Sequence, residues 1–178
     1  MKTIPTLLAA LLLWGPFTAF AESAPSRESD TSGVVPAYLH IQKRLAADDL
    51  AGSKKAAATL GRLLDNDSLN ALAAPAESLS NAENMDAARA AFHKLSDALV
   101  AQLKQDGLKA DTTLYRVHCP MAFEGEGADW IQADKNVSNP YYGAKMARCG
   151  AVKKKITGTD ADDRNTPEPH SGMHHGHH

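Results

Sequence analysis

Between Met85 and Leu103 the apolar residues Met85, Ala88, Phe92, Leu95, Leu99 and Leu103 recur at steps of three and four. That spacing puts them on one stripe of a helix, and a stripe this long has to be covered by other elements. It predicts a long amphipathic helix inside a bundle. Ser80-Asn81-Ala82-Glu83 has the Ser-x-x-Glu form of a capping box and is the expected start; Gly107 is the expected C-terminal cap. Upstream, Tyr38, Ile41 and Leu45 share a second helical face, and Leu50, Ala57, Leu60 and Leu64 a third. Two helices are expected there rather than one, because the adjacent acids Asp48 and Asp49 suit a helix start, with Asp48 as N-cap and the helix running from about Asp49 to Leu64. Asp65-Asn66-Asp67-Ser68 is a stop signal. Residues 69–79, rich in Ala and Leu and carrying Pro75, read either as a short helix or as an irregular connection.

After Gly107 the pattern changes. Thr112 to Val117 favours a strand leading into His118-Cys119, and Trp130-Ile131-Gln132 reads as a second short strand. Asn139-Pro140 is a turn, Tyr141 to Arg148 one or two turns of helix, and Ala151 to Ile156 a closing strand. The expected fold class is mainly α: a small helical bundle with a short irregular or β, motif-bearing C-terminal part.

The ends of the chain place it. Lys2, the apolar run Leu7–Trp14 and Ala19-Phe20-Ala21 have the form of a cleaved signal peptide covering residues 1–21. The run is too short to span a bilayer, and no later segment is apolar enough to do so. Secretion to a periplasm is the expectation, with no membrane insertion after cleavage. Residues 22–33 read as a flexible leader, 34–157 as the folded domain and 158–178 as a disordered His-rich tail. With 19 Lys and Arg against 21 Asp and Glu, nothing points to nucleic acid or a polybasic membrane surface. Two cysteines are too few to build a disulfide scaffold, so an ordinary apolar core must hold the domain.

Both cysteines lie in one stretch, Cys119 to Gly150, together with Met121 and Met146. In an extended segment Cys119 and Met121 face the same way, with His118 turned from them unless the chain bends. On a helical turn Met146 and Cys149 share a face. Two such pairs facing each other make a soft sulfur cluster suited to Cu(I), with His118 as a neighbouring donor. The other reading is a Cys119–Cys149 disulfide, the default for two cysteines in an oxidising compartment. Closing that 30-residue gap would contribute roughly 3–4 kcal/mol. Both readings stand at this point, and one thiolate cannot serve both at once. Trp130, Asn139, Pro140, Tyr141 and Gly143 lie between the cysteines and read as scaffold of the site, the aromatic rings being core or a shield for a soft ion. The tail carries His170, Met173, His174, His175, His177 and His178, a donor set for Cu(II), Ni(II) or Zn(II). No nucleophile elbow, phosphate loop or His-Glu-x-x-His occurs, and no enzymatic activity is expected.

The series Cys119-Pro120-Met121-Ala122, Gly127-Ala128-Asp129-Trp130, Asn139-Pro140-Tyr141-Tyr142-Gly143 and Met146 to Gly150 adds an identifying pattern. With Tyr38-Leu39-His40-Ile41-Gln42, Leu45 to Asp49 and Ala91-Phe92 before Leu95-Ser96, it resembles a periplasmic domain of unknown function. That domain is found alone or at the C-terminus of copper and silver efflux adaptor proteins. The resemblance implies a heavy-metal context, copper above all, and an efflux adaptor or transporter as partner. It implies no reaction. The expected function is a periplasmic metal-binding protein that buffers copper or delivers it to an efflux system. The alternative is a disulfide-stabilised, non-catalytic interaction module docking onto a transporter or adaptor.

Overall fold

The computed structural model describes residues 32–64, 69–105, 108 and 111–156. The expected signal peptide, nearly all of the expected leader, the expected stop at Asp65–Ser68, the expected cap Gly107 and the His-rich tail lie outside the described residues. Among the described residues four helices are followed by a three-stranded sheet: α1 Val34–Ala46, α2 Leu50–Leu63, α3 Asn70–Ser80, α4 Met85–Lys104, β1 Leu114–Cys119, β2 Ala128–Gln132 and β3 Ala151–Ile156. The mainly α class with a β-bearing C-terminal part is what the periodicities predict. No described helix is long and apolar enough to cross a membrane.

The first helix begins at Val34, four residues before the first residue of the recognised stripe, so Val34 and Val35 join Tyr38, Ile41 and Leu45 in the core. Pro36 is accommodated because the first turn has no internal acceptor for its missing N–H. The break after α1 is where the acids predicted it, but the capping residue differs. Asp49, not Asp48, is the N-cap of α2, its carboxylate accepting from the Gly52 amide at 2.8 Å. Asp48 instead takes a left-handed conformation, φ 56°, which ends α1. The start of α4 is corrected in the same way. Ser80 is the last residue of α3 and its hydroxyl donates to the Glu77 carbonyl, so it cannot cap the next helix. Asn84 does so, accepting from the Ala87 amide at 2.8 Å. The segment around Pro75 is helical, with Leu72, Ala76 and Leu79 buried.

Consecutive helices pack on one another, and α4 and α1 lie against β2. The sheet order is β2-β1-β3, antiparallel throughout, with Cys119 opposite Ala128 and His118 opposite both Asp129 and Ala151. A register shift between Arg116 and Val117 interrupts the pairing with β3. β1 starts two residues later than its β-favouring run and continues through Cys119. Core and sheet are joined by the Tyr38 hydroxyl, which bonds to the Ser96 hydroxyl at 2.7 Å and accepts from the Ile131 amide at 3.2 Å. Burial pushes the phenol well above its usual range, so it stays neutral.

Candidate metal centre

Cys119 ends β1 on the core-facing side and is fully buried. Cys149 lies just before β3 and is half-buried. Because β3 pairs with β1, the two ends meet: the sulfur atoms are 2.9 Å apart and both are free thiols. This separation lies inside ordinary van der Waals contact and beyond the roughly 2.05 Å of a disulfide bond. Two thiolates bound to one ion at about 2.3 Å would, at this spacing, subtend only about 78° at the metal, so seating an ion requires the pair to open. The Cys119 thiol in contact pushes the Cys149 thiol up; desolvation adds to this, and the Met121 backbone N–H acts in the opposite direction.

Both methionines reach this point through their backbones. The Met121 amide faces the Cys149 sulfur, and the Met146 carbonyl accepts from the Cys149 amide at 3.0 Å. Met121 is 52% exposed, the most exposed large apolar side chain among the described residues. Met146 ends a short 3-10 turn, Gly143–Met146, and is half-buried. That turn stands where one or two turns of helix were expected between Tyr141 and Arg148.

His118 is not brought to the sulfur pair. It neighbours Cys119 on an extended strand and so projects to the opposite face. There its Nδ1 meets an Asp129 carboxylate oxygen at 2.9 Å, while the other oxygen of that carboxylate takes the Arg116 guanidinium. Among the described residues no group of three or more His, Cys, Asp and Glu is placed to hold a metal. Among the described residues, Met121 and Met146 are the sequence-predicted donors whose backbones lie beside the cysteine pair. The tail residues His170, Met173, His174, His175, His177 and His178 lie outside the described residues.

The predicted scaffold residues all hold the loop that carries Cys149. Asn139 is fully buried; its side-chain oxygen accepts from the Tyr141 and Tyr142 amides, and its Nδ2 donates to the Cys149 carbonyl at 2.8 Å. A substitution here would free both ends of the loop at once. Pro140 is buried, and its carbonyl accepts from Arg89 Nε on α4 at 3.0 Å. The Tyr141 hydroxyl donates to the Asp129 carbonyl at 2.6 Å, and its ring meets Trp130 edge-on. Trp130 is fully buried, with its indole N–H on Gln132. It packs within the core, against the position of Gly150 next to Cys149. The Tyr142 hydroxyl donates to the Met121 carbonyl, tying the Cys-Pro-Met segment to the same loop.

Sequence reasoning missed Asp48 and Arg89. The Asp48 carboxylate accepts from the Ala144 amide at 2.9 Å and pairs with Arg89, and it fills the space a side chain at Gly143 would need. The Ala144 N–H, with Arg89 beside it, holds the Asp48 carboxyl below its usual range. The only local signal was the doubled acid at the end of α1, which suits a cap equally well.

The model of a family described as "Protein of unknown function (DUF3347)" matches residues 34–111. The match spans all four helices and ends before β1, so it does not reach Cys119 or Cys149. It agrees with the resemblance to a domain of unknown function. No curated protein and no solved structure matches the chain.

Proposed function

We propose that this is a periplasmic, non-catalytic protein that binds a soft metal ion, Cu(I) foremost, at Cys119 and Cys149 and buffers it or passes it to an efflux system. One observation carries the reading: two free thiols in contact, one of them half-open to solvent, with the backbones of two methionines hydrogen-bonded around Cys149. Thiolate and thioether donors select monovalent copper or silver over hard cations. Cys149 sits on a loop, so the sulfurs can separate to take an ion without disturbing the helical core. The His-rich tail is a second, less selective collector for Cu(II), Ni(II) or Zn(II). In the test, the reduced chain truncated after Gly158 competes for Cu(I) with a colorimetric chelator. About one ion per chain is expected. Cys119→Ser and Cys149→Ser should each weaken binding far more than His40→Ala. No Cu(I) uptake by the reduced chain would refute the proposal.

The second reading is favoured by the 2.9 Å separation itself. Closure of less than about 1 Å would make a disulfide, and the domain would then be a covalently closed interaction module. Mass analysis of the oxidised and reduced chain, with thiol alkylation, separates the two.

A further inference from the structure

The segment that carries Cys149 is also the most unevenly charged part of the fold. From residue 135 to residue 156 it contains Lys135, Lys145, Arg148, Lys153, Lys154 and Lys155 and no Asp or Glu, in a chain whose formal net charge is −2. All six side chains are exposed. Lys145 and Arg148 flank the sulfur site in sequence, and the three consecutive lysines lie on β3, which forms one edge of the sheet. β3 is exposed along nearly its whole length, including Val152 at 37%. An edge strand offers backbone N–H and C=O groups to any added strand.

Consecutive lysines restrict what can be added. A second copy of this chain would bring lysine against lysine, and like charges directly opposite across a strand pair are unfavourable. A neutral strand would have to desolvate the exposed Lys153 and Lys155 without return. An acidic strand pairs its carboxylates with them and completes the backbone ladder. From this we infer that β3 is a docking edge for an extended, acidic segment of a partner protein, which would lie alongside the loop that presents Cys149. The inference rests on the metal-binding reading for its purpose, delivery of the ion to that partner, but not for its observation.

The test uses the reduced mature chain, residues 22–178, and a synthetic peptide, Thr-Asp-Val-Asp-Val-Asp-Thr, with its Lys-for-Asp counterpart. Amide NMR shifts and hydrogen exchange report the site. The acidic peptide is expected to protect β3 amides, to bind more weakly as salt rises, and to lose at least about tenfold in affinity in K153E/K154E/K155E. The lysine peptide should then bind the reversed variant. K153Q/K155Q, which only removes charge, should give an intermediate loss. Three results overturn the inference. The first is perturbation of the α1–α2 groove around His40, Arg44 and Lys55 instead of β3. The second is binding to phosphatidylglycerol vesicles with no peptide response. The third is peptide binding only after truncation at Thr159, which would make Asp160, Asp162 and Asp163 of the chain itself the occupant. The charge-reversed variant should keep its Cu(I) affinity, so loss of peptide docking and loss of metal binding are read separately.

Discussion

Gly150 joins the sulfur site to the sheet, and adding one methyl group there tests how closely the two are packed. Its φ is +134°, outside the region open to residues with a side chain. A Cβ would stand 2.8 Å from the Trp130 ring and 3.2 Å from both the His118 carbonyl oxygen and Val117 Cγ1. Trp130 and Val117 are fully buried, and the His118 oxygen is backbone in the middle strand, so none can swing aside. The forbidden backbone costs on the order of 1–3 kcal/mol and the overpacking a similar amount. Gly150→Ala is therefore expected to lose about 2–6 kcal/mol, against a total of roughly 5–15 kcal/mol for a domain. Urea unfolding of the reduced chain measures this. Gly61→Ala is the control: that glycine is exposed within α2, a Cβ there meets nothing within 4 Å, and a gain of about 0.5–1 kcal/mol is expected from helix propensity. A loss below about 0.5 kcal/mol for Gly150→Ala would refute the packing argument.

Two further outcomes are expected. Tyr38→Phe leaves the Ile131 amide and Ser96 hydroxyl without their buried partner and should cost about 1–3 kcal/mol in urea unfolding; a neutral effect would mean that the hydroxyl does not join helix to sheet. Asp48→Asn should remove a stabilisation that is present at neutral pH and disappears on acidification. The folded carboxyl is held below its ordinary value, so its contribution is full above the unfolded pKa of about 3.9 and is lost as pH falls through the folded one. Thermal melts of both proteins at pH 7 and below pH 3 check this: the gap between them should close in acid, and a constant gap would contradict the assignment.

What was legible in the sequence follows from how local each signal is. The stripe from Met85 to Leu103 and the strand at Ala151–Ile156 depend on neighbours a few residues away, and both stand where expected. The caps were displaced because several polar residues compete at each helix start, and tertiary partners decide among them. Asp48 looked like a cap, but it is claimed by Ala144, 96 residues on, and by Arg89, 41 residues on. No periodicity encodes such pairings. The two cysteines were recognisable as partners, and Asn139, Pro140, Tyr141 and Gly143 as their support. Strand alternation turns His118 away from Cys119, as the local spacing implies, but its partner on that face, Asp129 across the strand pair, is not specified by local spacing.

The central claim is that Cys119 and Cys149 are held as a metal-binding dithiol. Free-thiol titration and metal analysis on one natively purified sample test it most directly. The account predicts about one copper per chain, few reactive thiols before a Cu(I) chelator is added, and both thiols afterwards. A metal-free sample in which neither thiol appears until a disulfide reductant is added would contradict it and leave the disulfide-closed interaction module.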